Sequence, residues 1–227
     1  MEILKKSKTV FHVHTYYSID SFLKPNVLVD ALFNAKIDNV IITDHNSIRG
    51  AIEAKAYAEE RYSNKFNVII GEEVKTDIGD IIGFPIRDEI QLKDHKKVID
   101  EIKKQGGLVC IPHPYKSHDL LQIHDPHFID TIDFIEVFNS RISKRQNQFA
   151  EDMANKFNKK KIIGSDAHIK NDLLNTFIVF DDNFEIENYS ANYTTKRNIR
   201  TSQMIQDIKR KNVPGVIKYF SLALLNK

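Results

Sequence analysis

The stretch TVFHVHT, at residues 9–15, places two histidines at the end of a short apolar run that is typical of a buried β-strand. Residues two apart on a regular strand point to the same face, so the imidazoles of His12 and His14 are spaced to bind one cation. A lone His-X-His on a strand also arises by chance or as a core feature. Its interpretation therefore depends on the residues at the ends of the other predicted strands.

Short apolar runs alternate with longer helical patterns along the whole chain. The runs predict strands at 9–13, 39–43, 67–70, 80–84, 108–111, 133–138, 161–163 and 176–180. Helices are predicted at 25–36, 49–61, 94–105, 143–158, 201–211 and 214–225. This alternation is typical of a parallel sheet covered by helices, and the number of units suits a compact, irregular β/α barrel. An open, doubly wound sheet is the alternative.

Polar residues of the types that bind metals stand at the ends of these strands, one group after another. They are Asp44, His45, Glu72, Glu73, Asp77, Asp80, His113, Glu136, Asn139, Asp166 and His168. In a barrel the strand ends converge on one face, and charged groups buried there need compensation. Imidazoles mixed with carboxylates favour Zn, Mn or Fe over Ca. The set as a whole therefore predicts a site for clustered divalent metal ions.

The composition is that of an ordinary globular protein. Of the 227 residues, 41% are hydrophobic and 28% are charged, and we expect a single domain spanning residues 1–227. The formal net charge of +2 argues against binding to long nucleic acid. Cys110 is the only cysteine, which excludes an intramolecular disulfide and a cysteine-based zinc site. The sequence shows neither an apolar run of about 20 residues nor a signal peptide, so we expect a cytoplasmic protein without a membrane partner.

Taken in order, these motifs resemble the PHP family, named for polymerase and histidinol phosphatase. HVHTYYSID at 12–20 is similar to the family's opening motif, and ITDHNSIRG at 42–50 to its second. GEEV at 71–74, IPHP at 111–114 and GSDAH at 164–168 are similar to the later ones. The resemblance implies a distorted (β/α)7 TIM-like barrel of the PHP type, with two or three divalent metal ions per site.

The resemblance also implies which residues bind the metals. The ligands would be His12, His14, Glu73 and Asp166 for one metal, Glu73 and His113 for a second, and Asp20, His45 and His168 for a third. Asp80 stands where many members carry the histidine of an H-X-X-G pattern, and we expect it to replace that histidine as an oxygen ligand. The metals expected for this ligand set are Zn, Mn or Fe.

Such a site predicts a metal-dependent phosphoesterase, a hydrolase that acts on a small phosphomonoester similar to histidinol phosphate, a nucleotide or a sugar phosphate. The nucleophile would be a metal-activated hydroxide. The expected catalytic residues are Glu73, Asp166, His168 and Asp44, the last as a partner that fixes an imidazole. The expected substrate-binding residues are Arg141, Arg145, Arg49 and Asn139.

Two other functions stay open at this level. Amidohydrolase-like enzymes, which cleave C–N or ester bonds, also open with His-X-His on a barrel strand, but they are expected to carry a carboxylated lysine where this chain has Glu73. A non-catalytic metal-binding PHP module is the other alternative, although nearly every ligand position is filled here. The sequence does not determine the substrate, the metal or the oligomeric state.

Overall fold

A computed structural model describes residues 7–114, 126–180, 186–212, 214–216 and 218. These residues form a mixed α/β fold. Its strands are β1 (Ser7–Val13), β2 (Asn39–Ile42), β3 (Asn67–Ile70), β4 (Glu72–Lys75), β5 (Asp80–Phe84), β6 (Leu108–Ile111), β7 (Phe134–Asn139), β8 (Lys160–Gly164), β9 (Thr176–Phe180) and β10 (Ile186–Ala191). Its α-helices are α1 (Pro25–Asn34), α2 (Arg49–Tyr62), α3 (His95–Lys104), α4 (Pro126–Thr131), α5 (Lys144–Lys156) and α6 (Lys196–Lys209).

The starts of the helices follow from local sequence. Pro25 occupies the first turn of α1, where its missing N–H costs no hydrogen bond. Asp94, Ser143 and Thr195 cap α3, α5 and α6, and each side chain accepts a hydrogen bond from a backbone N–H of the first turn. Because Thr195 is a cap, α6 begins before the start at 201 that apolar periodicity predicted. The helix predicted at 214–225 lies mostly outside the described residues.

The strands form two five-stranded sheets, with the orders β10-β9-β1-β2-β3 and β4-β5-β6-β7-β8. The pairs within β1-β2-β3 and within β6-β7-β8 are parallel, as predicted. However, β5 is antiparallel to both of its neighbours, and β9 is antiparallel to β1 and β10. The prediction of a wholly parallel sheet was therefore wrong. The connection from β4 to β5 is too short for the helical crossover that parallel strands need.

The two sheets meet beside the predicted site. Val13 pairs with Ala167, and His45 with Glu73, in isolated parallel bridges. At the second bridge, Glu73 N donates a hydrogen bond to the Asp44 carbonyl oxygen over 3.1 Å. The ends of strands from both sheets are thus joined around one region. Within the described residues the strands make two sheets without a closed barrel, so the barrel prediction is not confirmed.

Two clusters of buried apolar side chains support the sheets. The larger contains residues of both sheets and of α3, α4 and α5, among them Phe11, Phe84 and Ile102. The smaller joins α1 and α2 to β1 and β2 and includes Leu28 and Ala54. Over the described ranges, no helix combines the length and the apolar character that a membrane crossing requires.

Truncation of Ile102 tests the assigned core. This fully buried side chain packs α3 so closely on β5 that a Cβ added at Gly83 would lie 2.6 Å from Ile102 Cγ1. We expect Ile102→Ala to lower the free energy of unfolding by about 2–5 kcal/mol, because it leaves a cavity. The matched control Ile52→Ala, at a side chain that is 48% exposed, should cost less than about 0.5 kcal/mol. Urea denaturation measures both values, and equal losses would contradict this core.

Candidate metal centre

All nine side chains that the sequence predicts as metal ligands lie close together at the ends of the strands. They form four overlapping groups, and within each group one potential ligand atom per residue lies within 4.8 Å of the others. The groups are His14, Asp20, His45 and His168; His12, His14 and Glu73; His12, His113 and Asp166; and Glu73, Asp80 and His113. The structure therefore brings together residues that are up to 156 positions apart in the sequence, from 12 to 168.

The carboxylate of Glu73 lies at the centre of the cluster and is fully buried. Its Oε2 atom is 3.3 Å from Nε2 of both His12 and His14. The same oxygen is 3.1 Å from His45 Nδ1, and the other oxygen, Oε1, is 3.0 Å from His113 Nε2. Four imidazoles thus converge on one buried carboxylate.

Two further carboxylates lie against these imidazoles. Asp166 Oδ1 is 3.3 Å from His14 Nε2. Asp20 Oδ2 is 2.8 Å from His168 Nε2 and 3.6 Å from His45 Nε2. Imidazole nitrogens and carboxylate oxygens therefore alternate through the cluster.

Three of these residues have a left-handed backbone conformation, which is strained for a residue other than glycine. The φ angles are 63° at His12, 29° at His113 and 50° at Asp166. Such strain is found preferentially at functional sites. The register of β1 against β2 also shifts between Phe11 and Val13. His12 and His14 therefore reach the same site through an irregularity in the strand, and not through the regular alternation assumed from the sequence.

Three of the histidines in the cluster have a hydrogen-bond acceptor at Nδ1. His12 Nδ1 lies 2.7 Å from Glu136 Oε1, and His14 Nδ1 lies 3.0 Å from Ser18 Oγ. His168 Nδ1 lies 2.8 Å from a backbone carbonyl oxygen. With the Nδ1 proton donated outward, each of these imidazoles in its neutral form would present the lone pair of Nε2 to the cluster. This is the tautomer that a metal ligand needs.

The arrangement fits divalent metal ions. His14 Nε2 and Asp20 Oδ1 are buried and have no hydrogen-bond partner within the described part of the chain. Burial, together with neighbouring His168, lowers the pKa of His14 to about 3, so its imidazole stays neutral. A neutral imidazole with an unused buried nitrogen is a suitable ligand for Zn, Mn or Fe.

Other imidazoles in the cluster are held in the charged form. Burial alone would lower the pKa of His12, but the carboxylates of Glu136, Glu73 and Asp166 outweigh it and raise that pKa well above its usual value. Burial is likewise outweighed at His45, where Glu73 is the largest favourable influence and the pKa rises to about 9. These protons balance the carboxylates, and divalent cations would balance them in the same place.

Glu136 is a fully buried carboxylate that supports two of the predicted ligands. Its Oε1 atom faces His12 Nδ1, and its Oε2 atom accepts hydrogen bonds from His113 N over 2.8 Å and from Asn139 Nδ2 over 3.0 Å. A Cβ added at Gly164 would lie only 1.7 Å from Oε1, so glycine leaves the space that this carboxylate fills. In the sequence, Glu136 was recognised only as one of the polar residues that stand at strand ends.

Asp44 contacts the imidazole of His14 indirectly, through Ser18. Its Oδ1 atom accepts hydrogen bonds from Thr15 N over 2.5 Å and from Ser18 Oγ over 2.9 Å. Ser18 Oγ in turn lies 3.0 Å from His14 Nδ1 and accepts a hydrogen bond from His45 N over 2.9 Å. Burial raises the pKa of Asp44, although the hydrogen bonds from Thr15 oppose this. Sequence reasoning missed Ser18, because a serine in a loop carries no specific signal.

Two further acidic residues near the strand ends, besides Asp44 and Glu136, also lie outside the four groups. Glu72, next to Glu73 in β4, accepts a hydrogen bond from Ile90 N over 2.9 Å. Asp77 accepts one from His95 N over 2.9 Å and lies 3.1 Å from His95 Nδ1. Both carboxylates therefore have structural partners of their own.

A cavity of about 520 Å³ lies beside the cluster. Its lining includes the predicted ligands Asp20, His45, Glu73, His113, Asp166 and His168. The other lining residues are Lys75, Arg141, Ile142 and Gln146, together with four residues of α6: Ile199, Ser202, Gln203 and Gln206. No sequence motif indicated that α6 contributes to the site.

The predicted substrate-binding residues occupy different places. Arg141 lines the cavity, where its Nε lies 3.8 Å from Asp166 Oδ2 and its NH1 lies 3.3 Å from Asp172 Oδ2. Asn139 is buried, and its Nδ2 lies 3.0 Å from Glu136 Oε2 and 3.3 Å from Asp166 Oδ2. The Asn139 amide thus orients a predicted metal ligand.

The other two arginines do not contribute to the described lining of the cavity. Arg145 is exposed on α5. Arg49 is also exposed, and its guanidinium lies 5.0 Å from the centre of the Tyr17 ring. Each lies within or shortly after a predicted motif, but closeness to a motif in the sequence does not place its side chain in the described lining.

The fold and the cluster define a class of protein, an α/β domain whose strand ends converge on a candidate metal site. The family model described as the PHP domain matches residues 11–130, and the chain belongs to this family. The resemblance found in the sequence motifs is thereby confirmed.

Three known proteins are similar to this chain in sequence or in fold. An uncharacterized protein of Methanocaldococcus jannaschii, MJ1587, is 35% identical over 144 residues, which are 59% of this chain and 82% of that protein. A two-domain Bacteroides vulgatus protein containing a predicted PHP-like metal-dependent phosphoesterase has a similar fold, with a TM-score of 0.63 at 20% identity over 89% of this chain and 63% of that one. An amidohydrolase from Chromobacterium violaceum also has a similar fold, with a TM-score of 0.57 at 16% identity. The match covers 70% of this chain and 87% of that one.

Replacement of Glu136 tests the support of the ligands. We expect Glu136→Gln to weaken Mn²⁺ binding by about 10–100-fold, because the neutral amide no longer orients His12 and His113 as a carboxylate does. The matched control is Glu60→Gln at an exposed position on α2. Competition with a fluorescent chelator measures the affinities, and unchanged binding in Glu136→Gln would contradict this role.

Proposed function

We propose that this chain is a metal-dependent phosphoesterase that hydrolyses a small phosphomonoester of the histidinol phosphate, nucleotide or sugar phosphate type. The observation that carries the proposal is the buried Glu73 carboxylate, surrounded by four imidazoles beside a cavity whose lining includes Arg141. Membership of the PHP family supports it, as does the predicted phosphoesterase in the Bacteroides vulgatus protein.

The proposed cofactors are two or three divalent ions of Zn, Mn or Fe. Their proposed ligands, which make up the four overlapping groups, are His12, His14, Asp20, His45, Glu73, Asp80, His113, Asp166 and His168. Bound there, such ions would supply a hydroxide nucleophile near neutral pH and offset the negative charge of the phosphoryl group.

The chain itself would bind the phosphate and hold the ligands in place. Arg141 is the proposed phosphate-binding cation, because contacts with Asp166 and Asp172 keep its guanidinium in the lining of the cavity. Lys75 lines the same cavity and adds a second positive charge. Asn139 keeps Asp166 in its orientation. The reaction needs no side-chain nucleophile and therefore no covalent intermediate.

The proposed substrate is a small molecule. A volume of about 520 Å³ suits this, since small-molecule sites typically measure about 300–1,000 Å³. The formal net charge of +2 offers little attraction for long nucleic acid.

We also infer that the two sheets act as one distorted (β/α)7 barrel in a single domain of residues 1–227. The bridges Val13–Ala167 and His45–Glu73, which join the sheets, support this inference. The larger apolar cluster, which contains residues of both sheets, supports it as well.

A second candidate function is hydrolysis of a C–N bond. The fold similarity to the Chromobacterium violaceum amidohydrolase favours it, and a hydroxide activated by divalent metals can attack a carbonyl carbon as well as phosphorus. Amide substrates therefore belong in the same assay. Turnover of amides without phosphate release would replace the phosphoesterase proposal.

Asp166→Ala tests the metal-dependent reaction. We expect metal-stripped protein to release no phosphate from a panel of phosphomonoesters, and Mn²⁺ to restore the reaction. Asp166→Ala should lower kcat/KM by more than about 100-fold, because loss of a direct ligand exceeds the usual loss of an outer partner. The control is Asp100→Ala at an exposed position on α3. If the folded, metal-loaded wild type turns over no phosphoester, the proposal fails.

Arg141→Met tests phosphate binding. We expect kcat/KM to fall by about 10–100-fold, because a charged hydrogen bond to the substrate contributes about 1.5–3 kcal/mol. Arg145→Met, the matched control outside the described lining, should keep the wild-type value. Steady-state phosphate release with the best substrate measures both, and equal losses would remove Arg141 from the proposed site.

A further inference from the structure

Lys209, the last residue of α6, donates hydrogen bonds to the loop that carries Asp20. Its Nζ donates hydrogen bonds to the carbonyl oxygens of Tyr16 over 2.7 Å and Ser21 over 2.6 Å, and to that of Ser18. An ammonium group has three N–H donors, so these three carbonyls use all of them.

The segment that Lys209 contacts, Tyr16–Ser21, is named the Asp20 loop. It lies between β1 and α1 and contains no helix or strand. Regular backbone pairing therefore does not fix its position. Contacts from other parts of the chain do so, and the three hydrogen bonds from Lys209 come from a helix near the far end of the sequence.

The Asp20 loop contacts every other member of the group His14, Asp20, His45 and His168, which is named the Asp20 group. Ser18 Oγ lies 3.0 Å from His14 Nδ1 and accepts a hydrogen bond from His45 N. Ser21 Oγ donates to the His168 carbonyl oxygen over 2.8 Å. Asp20 itself lies 2.8 Å from His168. A shift of this loop would therefore disturb one metal group more than the others.

We propose that Lys209 is a positioning residue for the metal ion bound by the Asp20 group. The proposal rests on the proposed function, since it assumes that the cluster binds metals. Lys209 does not line the described cavity and is not one of the proposed ligands, so it acts through the loop. The same helix contributes Ser202, Gln203 and Gln206 to the cavity, and α6 thus connects the substrate space to this one metal.

The test is the Mn²⁺ content and affinity of four full-length proteins: wild type, Lys209→Met, Asp20→Ala and Lys211→Met. Each is stripped, refilled with Mn²⁺ alone and analysed by equilibrium dialysis with elemental analysis. Asp20→Ala should lose one ion per chain relative to wild type. Lys209→Met should weaken the same ion by about 10-fold or more and affect the others less. Lys211→Met, at an exposed neighbouring lysine, should match wild type.

The outcomes separate the two proposals. Wild-type Mn²⁺ binding in Lys209→Met, when Asp20→Ala has lost an ion, overturns the role of Lys209 and leaves the proposed function standing. No loss in Asp20→Ala overturns the assignment of a metal to the Asp20 group, and the role of Lys209 with it. If the wild-type protein binds no Mn²⁺, the proposed function itself is overturned.

A merely structural role makes a different prediction. It would lower the melting temperature of the metal-free protein and leave the rise in melting temperature on Mn²⁺ addition intact, whereas a positioning role reduces that rise. If Lys209→Met does not fold, Lys209→Arg takes its place. Arginine keeps the positive charge, but its planar guanidinium cannot donate hydrogen bonds to three carbonyl oxygens that converge on one atom. Wild-type Mn²⁺ affinity in Lys209→Arg would overturn the proposal.

Discussion

The burial of the Glu73 carboxylate among four imidazoles is the constraint on which the rest of the site depends. A charge removed from water is costly unless opposite charges and hydrogen bonds surround it. Here the neighbouring imidazoles supply that compensation, and the pKa values shift accordingly: that of Glu73 is held well below its usual range, although burial opposes this. Cations bound among the same groups would satisfy the same electrostatic requirement. The chemistry proposed for the site follows from this one requirement.

A second layer of polar groups keeps the imidazoles in place. Glu136 supports His12 and His113, and Asp44 supports His14 through Ser18. Small residues leave room for these carboxylates. A Cβ added at Gly50, for example, would lie 2.1 Å from Asp44 Oδ2. The left-handed backbone at the ligand positions is maintained against its strain by these surrounding contacts. The orientation of the ligands is therefore a property of the packed structure and not of the strand ends alone.

The types of the candidate ligands and their order could be predicted from the sequence. Metal-binding side chains stand at the ends of short apolar runs, and both features are local patterns that a single sequence displays. The family motifs added Asp20, and the structure brings both Asp20 and the strand-end residue Asp80 into the four groups. The parallel strands β1-β2-β3 and β6-β7-β8 were predicted for the same reason. By contrast, β5 is antiparallel to β4 because the connection between them is short. The general alternation of strands and helices predicted parallel strands and gave no sign of this connection.

Only the tertiary structure decided which polar residues face the cavity. Arg141, Arg145 and Arg49 all lie within or shortly after predicted motifs, yet only Arg141 belongs to the described lining. The contribution of α6 has no signal in the sequence, because its contacts with the Asp20 loop join residues almost 200 positions apart. By itself the sequence determined the chemistry of the candidate metal site, since residue type and periodicity are local properties. The tertiary structure alone decided how that site is oriented and closed, because those features depend on contacts between distant parts of the chain.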